Sequence, residues 1–443
     1  MNPKTKKFNR RSFIKSTTIA AGAAIIPSVL IAENPKIKVF PNKQKASLSE
    51  MKNPVAIAMW DYSWLLRHHK FGDFEDWDEV LDGLVERGYN AVRIDCFPHL
   101  IAADHAGNIQ NEFLHVREAY KPAYWGNQYT MRSNPREGLI EFLKKCNERG
   151  IYIGLSTWFM PHGTERNLDA KSTDDFVRVW DETLQLIEDN DLMQDVIYID
   201  LLNEYPLWHG LEWFKKEMND RSNEKLFMEN NPDANVPDEV FIKNRNSRYT
   251  KLQTEFYQGF INEVIQKLSV KWKGIPVFAS LPGSAKLDAV DYTHFGALDP
   301  HFWFSHHNDF NEQTGLSGLN MFRSEKQSHF EENYKKVLKY WQENKQDLSD
   351  WMEGRIEEAA ALGRKHDIPV GNTEGWGAVF WQEHPFVDWQ FIQEAADVSV
   401  DLAIKHGYKF ICTSNFTHPQ FKGLWADVEW HQQITKRIKN GII

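Results

Sequence analysis

Apolar residues recur along this chain with two alternating periods. Short runs rich in β-branched and aromatic residues occur at 54–60, 90–98, 151–159, 196–206, 275–281, 297–303, 368–377 and 409–415. They show little polar alternation, the pattern of strands buried on both faces. Between them lie stretches with helical periodicity at 76–87, 136–149, 173–189, 248–272, 331–365 (in two pieces), 388–406 and 430–439. In the first, Trp77, Val80, Leu81, Leu84 and Val85 share a face, and Gly88 ends the run. Eight strand–helix pairs in succession predict an α/β fold, a closed (β/α)8 TIM barrel, with long βα-loop insertions at 99–135, 207–245 and 304–330. The first of these carries Tyr120, Tyr124, Trp125 and Tyr129, and loops of this length in a compact domain usually serve function.

Parallel barrels build their sites from residues at the carboxyl ends of several strands. The fourth strand runs into Asn203 and Glu204 before Pro206 stops the ladder, and the seventh ends at Glu374. If the strand count holds, these carboxylates face each other across one barrel mouth. Glycoside hydrolysis needs such a pair: one group protonates the departing oxygen and the other attacks the anomeric carbon. In a retaining enzyme the two lie about 5–5.5 Å apart. Arg93 lies inside the second strand, where a guanidinium needs an acidic partner and would help keep Glu374 ionised. Asn203 is placed to reach a sugar hydroxyl. His301 and Trp303, two residues apart, share a strand face. Trp60 and Asp61 at the end of strand one, Trp158 after strand three, and Trp376 between two glycines are further candidate substrate contacts. For the rings the competing reading is core packing, and for Asp61 and Asp95 it is pairing with Arg93. His68 and His69, beside Arg67 and Lys70, read as a solvated basic patch.

Composition narrows the partner. The chain has 443 residues, 42% hydrophobic and 26% charged, with a formal net charge of −10. That balance argues against nucleic acid, because binding phosphates needs a basic surface. Seventeen tryptophans fit a protein that handles flat sugar faces, although most are expected in the core. Residues 1–32 read as a twin-arginine export signal, with Arg10 and Arg11 ahead of an apolar run at 17–32 that Gly22 and Pro27 interrupt. The run is short for a bilayer span, so a cleaved signal and no stable membrane span are expected. A linker at 33–53 would then lead to the barrel at 54–443, placing the protein in the periplasm or outside the cell. Cys96, Cys146 and Cys412 have apolar neighbours and read as buried free thiols. No CxxC or Cys/His cluster is present, and neither a metal nor a cofactor is expected.

The segments Gly88-x-Asn90-x-Val92-Arg93-Ile94, Asp200-Leu-Leu-Asn203-Glu204, His301-x-Trp303 and Pro369-Val-Gly-Asn-Thr-Glu374-Gly375 resemble, in order and strand position, the signature stretches of glycoside hydrolase clan A. Within that clan the chain is similar to the cellulase-like proteins near glycoside hydrolase family 5. The resemblance covers roughly residues 54–440, a whole barrel. It implies a retaining glycosidase with Glu204 as acid/base and Glu374 as nucleophile. The chain departs from that pattern in four places. Tyr205 separates Glu204 from Pro206, and Trp303 stands where the family has a tyrosine. Strand three lacks the family's histidine. Strand eight lacks its tryptophan, whose space Trp425 would fill from a loop.

The reading is therefore an exported retaining glycoside hydrolase acting on a β-linked oligosaccharide or polysaccharide. One rival is a metal-dependent sugar isomerase or epimerase using Asp95, Glu204, His301 and Glu374 as ligands. Another is a sugar-binding barrel without catalysis.

Overall fold

The computed structural model describes residues 48, 50–115, 129–243, 248–315, 327–379, 381 and 383–441. The expected signal, most of the linker, and Tyr120, Tyr124 and Trp125 lie outside them. In chain order, β1 is Val55–Asp61, β2 Ala91–Asp95, β3 Tyr152–Ser156 and β4 Val196–Asp200. β5 comes in two pieces, Val277–Phe278 and Leu281–Pro282. β6 (Pro300–His301), β7 (Gly371–Asn372) and β8 (Phe410–Cys412) are short. All neighbours pair in parallel: β7–β8–β1–β2–β3–β4 and the first piece of β5 form one sheet, and the second piece of β5 pairs with β6. A bridge from Leu298 to Val370 joins β6 to β7, which completes the (β/α)8 circuit.

The helices follow the apolar periodicity. They are α1 Trp77–Glu86, α2 Pro135–Glu148, α3 Thr173–Glu188, α4 Lys251–Lys271, α5 Gln327–His366, α6 Gln390–Lys405 and α7 Val428–Asn440. Asp76 caps α1 by accepting from the Asp78 and Glu79 amides, and Thr250 with Gln253 forms a capping box on α4. α5 breaks at Asn344, whose φ of −126° is not helical, in keeping with the two pieces read from sequence. The expected eighth pairing differs. Between β5 and β6 the chain makes only the 3-10 turn Leu287–Ala289 among the described residues. The second excursion folds in part as helices Glu212–Asp220 and Glu224–Asn230. Among the described residues no helix is long and apolar enough to cross a membrane.

Two features of the barrel position the site. Tyr198 of β4 fills the barrel interior against Phe278 and Phe410, with ring centroids 5.4 and 5.3 Å away. It does so over Gly154, where a Cβ would stand 2.1 Å from the phenol oxygen. This layer is the floor of the site. Above it, the exits of β1 to β4 each turn through a residue at positive φ: Asp61 (37°), Phe97 (51°), Phe159 (50°) and Glu204 (48°). Non-glycine residues adopt this region rarely and at a cost of roughly 1–3 kcal/mol, and such positions cluster at functional sites.

Candidate active site

Arg93 stands at the centre, buried inside β2 and pointing into the barrel. Its Nη1 lies 3.1 Å from Glu374 Oε2 and 3.4 Å from Asp61 Oδ1. Nη2 lies 3.5 Å from Asp200 Oδ2 and donates to Ser156 Oγ at 3.1 Å. Burial works against its charge, but Asp61, Glu374 and Asp200 outweigh burial and hold it more firmly protonated than a free arginine. Nη2 also makes a short hydrogen bond to Asn203 Oδ1. A guanidinium only donates, so it fixes which way this amide faces. The Nδ2 group of Asn203 is left buried without a partner among the described residues.

His301 joins the two glutamates. Its Nδ1 lies 3.3 Å from Glu204 Oε1 and 3.4 Å from Glu374 Oε2, while Nε2 faces Asp299 Oδ2 at 3.7 Å. One ligand atom from each of Glu204, His301 and Glu374 lies within 4.8 Å of the others. Burial lowers the pKa of His301, but Glu374, Asp299 and Glu204 outweigh it and lift it to about 10. The ring is therefore an imidazolium at neutral pH. Burial and the neighbouring Glu204 carboxylate raise Glu374 to about 7, against the pull of His301 and Arg93. Glu374 touches both cations and Glu204 only one. Glu204 is also the more accessible, 8% exposed against 3%.

The other predicted residues divide. Asp61 pairs with Arg93 and accepts from Trp158 Nε1 at 2.9 Å. Asp95 does not reach Arg93; it accepts from the Phe97 and Trp158 amides at 2.8 Å each, and burial raises it to about 7. Trp158 alone of the four predicted rings keeps partly exposed surface. Trp60 sits in the core against Phe74, its Nε1 donating to Thr417 O. Trp303 and Trp376 are buried and bridge to each other by backbone. Trp425 does not fill the place beside β8. It stacks on the Arg87 guanidinium at 3.9 Å, away from the glutamates, because that cation sits where its loop returns to α1. The buried Trp376 ring packs beside β8 instead, donating from Nε1 to Cys412 O. His68 stacks on Trp77 at 3.7 Å, and the three cysteines are buried and free.

Two carboxylates went unassigned in the sequence reading. Asp200 accepts from Ser156 Oγ (2.8 Å), Ser280 N (2.7 Å) and Ser280 Oγ (2.9 Å). Asp299 accepts from Thr373 N (2.9 Å) and Thr373 Oγ1 (2.6 Å). Both were detectable in principle, since an aspartate within an apolar strand must find a partner, and Asp299 shares the His301 face at a spacing of two.

A profile of the cellulase-like family, described as sugar-binding cellulase-like, matches residues 57–439. A crystal structure from Parabacteroides distasonis ATCC 8503, provisionally named a glycoside hydrolase, is 29% identical, with a TM-score of 0.72 over 89% of this chain and 95% of that one. The endo-β-1,4-mannanase of Thermotoga petrophila is 11% identical, with a TM-score of 0.46 over 89% and 79% of the two chains. A Streptomyces cattleya GH5_18 protein in complex with GlcNAc is 10% identical, with a TM-score of 0.49 over 89% and 82%. No curated protein sequence matches the chain.

Proposed function

The chain belongs to the sugar-binding cellulase-like family, and on that premise we propose that it is an exported retaining glycosidase cleaving a β-linked glycan by double displacement. The observation that carries this reading is the placement of Glu204 and Glu374 around one imidazolium, with one oxygen of each inside a 4.8 Å group. That spacing suits direct attack, whereas an inverting pair stands about 6.5–9.5 Å apart to admit water. Glu374, beside both cations, attacks the anomeric carbon as the carboxylate. The glycosidic C–O bond breaks, and its electron pair stays on the leaving oxygen, which takes the proton of Glu204. Glu204, now ionised, then removes a proton from water. The water oxygen displaces Glu374 from the anomeric carbon, and the second inversion restores the original configuration. Asn203 Nδ2 is the natural donor to the sugar hydroxyl beside the anomeric carbon.

The titration of Glu374 predicts a pH profile. Attack needs the ionised form, and a pKa near 7 leaves that form depleted below neutrality. Log kcat/KM should therefore fall with a slope of about one per pH unit below pH 7. A flat profile down to pH 5 would contradict the role of Glu374. The twin-arginine pattern at Arg10 and Arg11 supports export of the folded chain. Changing both to lysine should retain the protein inside the cell on fractionation, and unchanged export would remove that part of the proposal.

One observation favours a second reading, because Glu204, His301 and Glu374 form a set that could ligate a metal ion. The Arg93 guanidinium, 3.1 Å from Glu374 Oε2, already supplies positive charge at that oxygen. Screening aryl glycosides and cell-wall oligosaccharides with and without a chelator separates the readings. Turnover that survives the chelator supports the glycosidase. Turnover that needs an added divalent ion supports the metal reading, and tight binding with no turnover supports a sugar-binding role.

A further inference from the structure

On one flank α4 packs against α3, with the Phe260 and Phe176 ring centroids 5.6 Å apart and Lys267 Nζ 2.7 Å from Asp174 Oδ1. On its other flank, where a helix after β5 would stand, the chain makes only the 3-10 turn Leu287–Ala289 among the described residues. Gln258 Nε2 ties that turn to α4 by donating to Ala289 O at 2.8 Å. Between the two lies a cavity of about 510 Å³, lined by none of Arg93, Glu204, His301 and Glu374. We propose that this cavity is a ligand site separate from the carboxylate pair and that it takes a small aromatic carboxylate. The proposal does not depend on the glycosidase reading.

The shape and walls give the first argument. Thr254, Tyr257, Gln258 and Ile261 of α4 line the cavity at spacings of three and four, so one face of the helix is turned to it. Leu281 and Pro282 of β5, with Val290 and Phe295, form the facing wall. A mostly apolar space of this volume suits a small molecule, for which pockets run about 300–1,000 Å³. Its aromatic border is set edge to face: Tyr205 and Tyr257 meet at 71° with centroids 6.1 Å apart, and Tyr249 stands 5.4 Å from Tyr257 at 61°. A ligand ring would extend that arrangement. Tyr205 is fixed there, its hydroxyl donating to Tyr257 O at 2.6 Å. It is also the residue that intervenes between Glu204 and Pro206, so this wall is built where the chain departs from the clan pattern.

Charge gives the second argument. Arg248 and Lys286 border the cavity, against the single carboxylate of Asp291. Asp291 Oδ1 is engaged by its own turn, accepting from Thr293 N at 3.0 Å. Neither cation forms an ion pair among the described residues. In a chain of net charge −10, this local excess of positive charge favours an anion. A guanidinium also matches a carboxylate by two parallel N–H bonds. An apolar ring bearing one carboxylate meets both the walls and the charge.

Isothermal titration calorimetry of the full chain with 2-naphthoate, and with the uncharged 2-naphthamide, tests both parts. Wild type should bind the naphthoate about tenfold more tightly than the amide. Arg248 and Lys286 are exposed, so Arg248→Ala/Lys286→Ala spares packing, and in it that ratio should fall to about one. Tyr257→Ala keeps the main-chain acceptor of Tyr205 and should weaken both ligands by about tenfold through the lost ring contact. Glu374→Gln should leave both affinities unchanged. Equal affinity of wild type for the two ligands overturns the carboxylate class, and no saturable binding of either overturns the site. Naphthoate binding that survives in Arg248→Ala/Lys286→Ala but is lost in Glu374→Gln would put the anion at the barrel mouth and overturn a separate site.

Discussion

Replacing Glu374 by alanine is expected to lower kcat/KM by on the order of 10⁶, the scale seen when a covalent nucleophile is removed, whereas Glu204→Ala should cost about 10²–10⁴, the usual share of a general acid/base. The two losses also differ in kind. With an aryl glycoside whose leaving group needs no proton, Glu204→Ala still forms the glycosyl ester, and added azide should intercept it to give the β-glycosyl azide. In Glu374→Ala the azide takes the vacated place of the carboxylate and should give the α-azide. Proton NMR of the products reads both outcomes. An inverted product from the unaltered enzyme would sink the double displacement, and exchanged azide configurations would reverse the two roles. The assignment comes from surroundings rather than from residue type. Glu374 lies against Arg93 and His301, while Glu204 touches only His301 and is the more accessible to a leaving group.

Arg93→Met should destabilise the fold by about 3–5 kcal/mol at neutral pH, the range for breaking a buried ion pair by removing one partner. Denaturant unfolding measures it. Arg93 is buried and faces Asp61, Asp200 and Glu374, so methionine leaves those carboxylates without their shared cation. Burial already raises all three, and without Arg93 their folded pKa values rise further. A raised folded pKa confers stability below the unfolded pKa that is lost as pH rises through the folded value. The deficit of the variant should therefore shrink on acidification and be greatest above neutrality, and the acid limb of its residual activity should move upward. A variant as stable as wild type at neutral pH, or a deficit independent of pH, would show that the carboxylates do not depend on this guanidinium. Arg93→Lys should fall between, because one ammonium cannot replace the fork that holds Glu374, Asp61, Asp200 and Asn203 together.

The barrel was legible in the sequence, and so were the polar residues that stand at the carboxyl ends of its strands. Apolar runs without alternation mark doubly covered strands, and helical periodicity marks the outer layer, so both are local properties of the chain. Glu204, Glu374 and Asn203 stood out as polar residues where a strand stops, and Arg93 as a charge where none belongs unless paired. What could not be read were the partnerships. Asp200 and Asp299 each need a partner, but which one is fixed only when closure brings β2, β4 and β6 together. The sharing of His301 between both glutamates depends on strand register and on the turn of Glu204 through positive φ. Trp425 was misplaced for the same reason, since the position of a loop ring is set by the cation it meets and not by its distance along the chain.

Composition and periodicity alone were enough to settle a parallel α/β barrel with two glutamates on the tips of its fourth and seventh strands, because burial and hydrogen bonding constrain each segment where it stands. Which carboxylate lies against which cation, and how far His301 is lifted, were decided only by the closed barrel. Electrostatic coupling acts through space between strands hundreds of residues apart, and nothing in the linear order encodes those distances.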